Sequence, residues 1–444
     1  MKSGHVTRDL NIEYKSIGDL HVNPHNPRTH SQTQVSQIAK SIREFGFINP
    51  ILIDAEKRIL AGHGRLEAAK QLGMETVPTV CVEALTEAQA RAYLIADNKL
   101  AELADWDVEL LASELQYVTE LDIDFDLTIT GFDTPEIDVL LSPTSQAPPE
   151  EDPPPEPDFD TPAVSQPGDL WLLGRHRLLC GDALAPHSYD TLMDGEKAEM
   201  VFADPPYNVR INGHVSGLGS ARHKEFPMAS GEMNEEKFIK FLRTFMRNAA
   251  ENSIDGSIHY VCMDWRHAFE IVSAGRQVYK ELKNICVWAK TNGGMGSFYR
   301  SQHEFVFVFK HGTAPHTNNF ELGQHGRYRS NLWTHPGMNT FRPDREEKLR
   351  LHPTVKPTAL ITDTILDCSN RGSIVLDPFA GSGTTIIAAE RTGRRAFVIE
   401  LDAHYVDVAV RRWQEETGES AIGEASGLTF AEAEKRGEGQ SNDE

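Results

Sequence analysis

One stretch restricts the fold of this chain more than any other. Ser373-Ile374-Val375-Leu376 is an apolar, β-branched run that ends in Asp377-Pro378-Phe379-Ala380-Gly381-Ser382-Gly383-Thr384-Thr385. A helical pattern continues to Thr392 and is closed by Gly393, and a second apolar run, Ala396-Phe397-Val398-Ile399, stops at Glu400. Strand, glycine turn, helix and strand make a βαβ unit, which requires parallel strands and helices packed on a sheet. A carboxylate 17 residues after Gly383, at the end of the next strand, is the general arrangement for holding a nucleoside. The position that would carry a third glycine in a dinucleotide turn holds Ile386, so a pyrophosphate is a poorer fit than a nucleoside without phosphates.

A second strand end carries a different set of groups. Met200-Val201-Phe202-Ala203 reads as a short buried strand, and Asp204-Pro205-Pro206-Tyr207 follows it directly. An exocyclic amino group on a nucleobase is a poor nucleophile because its lone pair is delocalised into the ring. Two acceptors on its two N–H groups would localise that pair, and the Asp204 carboxylate and Pro205 carbonyl can supply them. Pro206 stiffens the turn, and Tyr207 offers a flat face for an extruded base.

The chain of 444 residues suggests two to three domains. Pro148 to Pro155 clusters proline with acid and cannot form helix or sheet, so residues 142–167 read as an acidic, proline-rich linker. No apolar run approaches ~20 residues, and the N-terminus lacks a basic-then-apolar signal segment, so a cytoplasmic protein without a membrane span is expected. The five cysteines are dispersed and include no Cys-x-x-Cys pair, which indicates neither a disulfide framework nor a zinc site.

The net charge of −22 looks unsuited to DNA, but it is unevenly placed. Residues 120–160 hold 13 Asp/Glu and no Lys/Arg, and residues 413–444 have a net charge of −7. Residues 290–356 carry a net charge of +5, and local patches matter more than the total for phosphate binding. Arg327, Arg329, Arg342 and Arg345 are the candidate DNA contacts there. The acidic stretch 414–444 reads as a disordered tail.

Three signals occur together: Asp204-Pro205-Pro206-Tyr207, His352-Pro353-Thr354-Val355-Lys356-Pro357 and the Asp377 to Thr384 turn. On these residues the segment 168–413 resembles the DNA amino-methyltransferases, in the motif order of the β-group, where the catalytic tetrapeptide precedes the cofactor motif. The resemblance implies an α/β fold: a Rossmann-like mixed sheet with helices on both faces. It implies S-adenosylmethionine as cofactor, a flipped base in double-stranded DNA as substrate, and no metal. Asp204, Pro205, Pro206 and Tyr207 then match the catalytic motif. Asp377, Phe379, Gly381, Ser382, Gly383 and Thr384 match the cofactor turn, Lys356 the motif that lines the methionine end, Glu400 the ribose acid, and Asp182 an acid near the adenine. Target recognition is expected over about residues 291–350. The opening aspartate favours adenine N6; cytosine N4 is the alternative.

Residues 10–141 form the other expected domain, smaller and α+β. Ser31–Phe45, Thr86–Glu102 and Val108–Leu121 have helical patterns, and residues 50–53 and 58–60 read as strands around a turn. Asn26-Pro27-Arg28, the segment Phe47 to Ile51, and Gly62-His63-Gly64-Arg65 followed by Ala68-Ala69 resemble the ParB-like N-terminal domain of the ParB/sulfiredoxin fold. In that family the glycine turn contacts a nucleotide phosphate, which makes Arg28, Gly62, His63, Gly64 and Arg65 a candidate anion site. This half also offers a further alternative, a ParB-like DNA-binding regulator with a vestigial methylase half. A homodimer and a restriction partner are left open.

Overall fold

The computed structural model describes residues 10–83, 85–121, 126–141, 155, 157–209, 229, 231–290, 299–320, 329–335 and 356–441. It separates into two compact units, Met1–Ser142 and Pro143–Glu444.

The first unit is α+β. Its strands are β1 (Ile12–Ser16), β2 (Ile51–Ile53), β3 (Ile59–Ala61) and β4 (Thr76–Cys81), in sheet order β1-β4-β2-β3. Its helices are α1 (Gln32–Phe45), α2 (His63–Gln71), α3 (Glu87–Ala101), α4 (Val108–Glu120) and α5 (Thr134–Leu141). Sequence dictates several boundaries. Ser31 accepts the Gln34 amide at the start of α1, and Thr86 with Gln89 forms a capping box on α3. Gly73, with φ of +68°, follows α2 as a left-handed stop. Ile51, Ile53, Ile59, Leu66 and Val77 fill the core beneath the sheet.

The second unit is built on one mixed sheet. Its strands in chain order are β5 (Leu170–Leu173), β6 (His176–Cys180), β7 (Ala198–Ala203), β8 (Ser253–Met263), β9 (Glu281–Ala289), β10 (His303–Lys310), β11 (Leu332–Thr334), β12 (Ile374–Asp377), β13 (Arg395–Glu400) and β14 (Ile422–Gly423). They lie in the order β11-β9-β10-β8-β7-β12-β13-β6-β5-β14. Strands β8, β7, β12, β13 and β6 run parallel to one another, and antiparallel pairs extend both sides.

Alternate residues of the central strands enter different cores, as a pleated strand requires. Met200, Phe202 and Val375 join the core under α9 (Thr358–Cys368), α10 (Thr384–Thr392) and α11 (Ala403–Thr417). Val201, Ala203 and Leu376 join the core under α6 (Pro186–Met193), α7 (Glu235–Glu251) and α8 (Ala268–Gly275). Helices thus cover both faces, as expected. Asn234 caps α7 through the Lys237 amide, and Phe238, Phe241, Leu242, Phe245 and Met246 form its buried stripe.

The chain leaving β7 continues to α7 on one face, and the chain leaving β12 continues to α10 on the other. Between these adjacent strands the connections diverge, so a crevice opens at their carboxyl ends.

Two boundary expectations are corrected. The stretch 414–444 is not a disordered tail over its described part. Residues Ile422–Gly423 pair antiparallel with β5, Phe430 packs edge-on against Trp171 at 5.2 Å, and α12 (Phe430–Ser441) follows. Buried Phe430 and Ala421 and a strand edge anchor it, while Glu415, Glu416, Glu419, Glu424 and Glu432 stay exposed; Glu434 pairs with Arg411 at 2.8 Å. The spacer also ends before residue 167. The Val164 and Ser165 amides donate to the Asp407 carboxylate at 2.8 and 3.0 Å, and Trp171 Nε1 donates to Ser165 Oγ at 2.9 Å. That segment docks through backbone amides, which composition does not reveal.

Candidate active site

Four carboxylates predicted from sequence lie on adjacent strand ends. Asp204 follows β7, Asp377 ends β12, Glu400 ends β13, and Asp182 stands two residues beyond β6. They belong to two groups around one crevice.

The first group is the glycine turn. Asp377 accepts the Phe379 amide at 2.9 Å and the Thr385 hydroxyl at 2.5 Å, which folds the turn back over β12. Burial outweighs these two bonds and pushes the Asp377 carboxyl up to about 7. Gly381 and Gly383 have φ of +52° and +79°. The Glu400 carboxylate accepts the Gly381 amide at 2.8 Å and the Asp402 amide at 2.9 Å, and burial pushes it up to about 6. Phe379 packs edge-on against Phe245 of α7 at 5.0 Å, tying the turn to the opposite helix layer. Ser382 offers its carbonyl and hydroxyl to Arg412 at 2.6 and 3.2 Å, and Thr384 opens α10. Asp182 accepts the Leu184 amide at 2.8 Å.

Gly383 is required for two reasons. Its backbone is left-handed, and a Cβ there would come within 2.7 Å of the Ala409 methyl on α11. Gly383→Ala is expected to cost about 2–4 kcal/mol of stability from strain and overpacking together. Thermal or urea denaturation would read this, and a loss below about 0.5 kcal/mol would contradict it.

The second group surrounds Asp204. Lys356 donates to Asp204 Oδ2 at 2.6 Å, lies 3.0 Å from Glu304 Oε2, and approaches Tyr207 Oη at 3.1 Å. The three N–H bonds of the ammonium therefore have three acceptors. Tyr207 Oη lies 2.7 Å from Asp204 Oδ1 and 3.0 Å from Glu304 Oε2. It has one proton, and the shorter contact is to Asp204. Lys290 pairs with Glu304 Oε1. The Lys356 side chain is only 5% exposed. Its ammonium lies 5.4 Å from the Tyr207 ring centroid, at the hydroxyl end, and 5.7 Å from the Trp288 ring centroid.

The two carboxylates differ electrostatically. Burial raises both. Glu304 faces two ammonium groups, Lys356 and Lys290, and is brought down to about 2. Asp204 faces one, and burial together with the Glu304 charge holds it above the ordinary value. Burial disfavours the Lys356 charge, but Asp204 and Glu304 override it and hold its pKa above normal.

Glu304, Lys290 and Trp288 were missed by sequence reasoning. The only signal was an acid at the start of the otherwise apolar run Phe305 to Phe309. Register explains the meeting. Ala203 pairs with Val261, Met263 pairs with Phe305, and Glu304 pairs with Trp288. The beginning of antiparallel β10 therefore lies at the carboxyl end of β7. Asn208 was also missed. It sits at φ of +54°, its Oδ1 accepts the Gly231 and Met233 amides at 3.0 and 3.1 Å, and its Nδ2 donates to the Met233 carbonyl at 2.8 Å. The strained residue after Tyr207 thus fixes the returning chain.

Arg329 is corrected as a DNA contact. Its guanidinium pairs with Asp363 at 2.7 Å and Asp367 at 3.1 Å and lies over the Trp333 ring, fastening β11 to α9. Arg327, Arg342 and Arg345 lie outside the described residues, as does most of the expected target-recognition segment.

The first unit has its own cleft of about 620 Å³, lined by Arg28, His30, Gly62, His63, Gly64 and Arg65 among others. Gly62 has φ of +102°, and its missing side chain leaves room for the Arg65 guanidinium, 3.0 Å from where a Cβ would stand. Among the described residues, buried His63 Nε2 and Arg65 Nε have no hydrogen-bond partner. Arg28 pairs with Glu102 at 2.6 Å.

Family models match three segments. The DNA methylase model matches residues 198–411, the ParB N-terminal domain model residues 2–98, and the ParB-methyltransferase HTH domain model residues 109–167. The last spans α4, α5 and the whole stretch read from sequence as a linker. The ParB-like nuclease domain-containing protein YnaK of Escherichia coli (strain K12) is 44% identical over 84 residues, 19% of this chain and 97% of that protein. The type II methyltransferase M2.DpnII of Streptococcus pneumoniae is 28% identical over 240 residues, 50% of this chain and 85% of that protein. Among solved structures, the M1.HpyAVI–SAM complex is 21% identical, with 53% of this chain and 97% of that chain covered and a TM-score of 0.39. The strand-end site lies within a segment that belongs to the DNA methylase family, and the chain joins this methylase to a ParB N-terminal domain and a ParB-methyltransferase HTH domain.

Proposed function

We propose that the protein transfers the methyl group of S-adenosylmethionine to the exocyclic amino group of a flipped-out base in double-stranded DNA, with adenine N6 as the acceptor. The observation that carries this reading is the Asp204 carboxylate at the end of β7, one strand from the glycine turn of β12. Asp204 and the Pro205 carbonyl accept the two amino hydrogens and localise the nitrogen lone pair. The Lys356 ammonium lies at the hydroxyl end of Tyr207, so the ring face is left for a base to stack on. The glycine turn and Glu400 hold the nucleoside end of the cofactor, with Asp182 toward its adenine. S-adenosylmethionine supplies an already activated methyl group, so orientation carries most of the catalysis. Adenine is favoured over cytosine because aspartate opens the tetrapeptide.

The test is the modified nucleoside itself. The protein is expressed in a host lacking DNA methylation, and digested genomic DNA is analysed by mass spectrometry. N6-methyladenine is the expected product. N4-methylcytosine would keep the chemistry and move the acceptor to cytosine, and the absence of both products would overturn the reading.

Cofactor affinity should depend on pH through Glu400. Ribose hydroxyls donate to its ionised form, and its carboxyl is pushed up to about 6. A proton must therefore leave before the cofactor binds well. Affinity for S-adenosylmethionine is expected to be level above about pH 7 and to fall toward tenfold per unit below about pH 6. Calorimetric titration reads this, and a profile that stays flat down to about pH 5 would contradict it.

The first unit's cleft is proposed to bind an anion such as a nucleotide phosphate, because Arg65 Nε and His63 Nε2 are buried there without partners among the described residues.

A further inference from the structure

We propose that Glu304, held by Lys290, is a positioning residue that supplies the countercharge to Lys356, so that the Asp204 carboxylate can act on an incoming amino group. The inference rests on the amino-methyl transfer proposed above.

As the N–CH3 bond forms and the S–CH3 bond breaks, the sulfonium leaves as a neutral thioether and positive charge develops on the amino nitrogen, which then loses its extra proton to water. An anionic Asp204 stabilises that charge. Lys356, 2.6 Å from Asp204, opposes it. If Asp204 were its only partner, the pair would present no net charge to the substrate. Glu304 changes this balance. It lies 3.0 Å from the same ammonium and gives it a second carboxylate. It also lies 3.0 Å from the Tyr207 hydroxyl, so one acid reaches both groups that occupy the oxygens of Asp204.

Glu304 is in turn built into the sheet. It stands opposite Trp288 in the β9–β10 register, and Lys290, which pairs with it, lies 4.7 Å from the Trp288 ring. The Lys290 amide donates to the Gln302 carbonyl, and the Gln302 side chain donates back to the Lys290 carbonyl, both at 2.9 Å. This reciprocal pair closes the strand ends beside Glu304. The four groups Asp204, Glu304, Lys356 and Lys290 are neutral as a set. Removing the Glu304 charge leaves the set positive. Removing the charges of Glu304 and Lys290 together leaves it neutral again.

That arithmetic separates countercharge from packing. Glutamine matches glutamate in shape, and its single oxygen still accepts from one of the two lysines. The experiment measures methyl incorporation from labelled S-adenosylmethionine into DNA from a methylation-free host. It compares the native chain with Glu304→Gln, Lys290→Gln and the double variant. Calorimetry follows cofactor binding in each. Glu304→Gln is expected to lower kcat at least about tenfold with cofactor affinity held within about twofold. The double variant is expected to recover at least about threefold over Glu304→Gln. Activity of Glu304→Gln near the native level overturns the proposal. So does a double variant no better than Glu304→Gln, because a purely structural contact gains nothing from a second deletion. If the native chain transfers no methyl group, the methyltransferase reading falls on its own. The countercharge is then judged from heat denaturation of the four proteins without ligand. A melting temperature lowered in Glu304→Gln and regained in the double variant supports it, and no recovery overturns it.

Discussion

Asp204→Ala is expected to lower methyl transfer at least about 10³-fold while cofactor binding stays within about threefold. Loss of one pre-organised polar group in a buried site costs ~10²–10³, and this change also removes the charge that faces the developing cation. The fold should tolerate it, because Lys356 keeps Glu304 at 3.0 Å and Tyr207 at 3.1 Å as acceptors. Asp204→Asn refines the comparison. Its amide oxygen can still accept a hydrogen bond from the Lys356 ammonium, but its NH₂ group then points a donor where an acceptor is needed. A loss of at least about 10²-fold is expected. Single-turnover transfer and calorimetric titration together read both variants. A cofactor affinity that collapses in step with activity would place Asp204 in the cofactor site instead.

Lys356→Met should produce the largest stability change. The side chain is 5% exposed and neutralises two carboxylates at once. Breaking a buried pair costs ~3–5 kcal/mol because a charge is left without compensation. Glu304 retains Lys290, but Asp204 retains only the Tyr207 hydroxyl. Asp204 is already held above its ordinary value, and loss of the cation raises it further. The folded variant then binds a proton that the unfolded chain releases, so its stability falls as pH rises above the unfolded carboxyl value. Denaturant unfolding should show a larger deficit against the native chain at about pH 8 than at about pH 5.5. A deficit independent of pH would mean that Lys356 acts by packing alone.

Features that depend on local chemistry could be read directly from the sequence. Ser31, Thr86 and Asn234 stand at helix starts because a short side-chain oxygen can meet a free amide there. The tetrapeptide at Asp204 and the glycine turn at Gly381 were legible because each is contiguous and follows an apolar strand. Glu304 was not, since its meeting with Asp204 depends on register passed through β8 from one strand to another. Arg329 was misread for a related reason. Its basic segment suggested phosphate, but the acids that take its charge lie 34 and 38 residues downstream on α9. The tail was misread from its acidity, although Phe430, Ala421 and a strand edge dock it.

The strand order has a consequence for the chain as it is made. β7 gains β8 as a neighbour about 50 residues after it is synthesised, but its other neighbour, β12, begins only at Ile374. Until then one side of the central strand is an open ladder of amides and carbonyls, and the apolar surface meant for α9 and α10 is uncovered. At ~5–20 residues per second, the ribosome needs roughly 10–30 s to close that gap. During that interval the nascent chain is most exposed to pairing with the wrong strand. Lys356 itself follows Asp204 by 152 residues and Glu400 comes later still, so the strand-end groups meet only when the sheet is nearly complete.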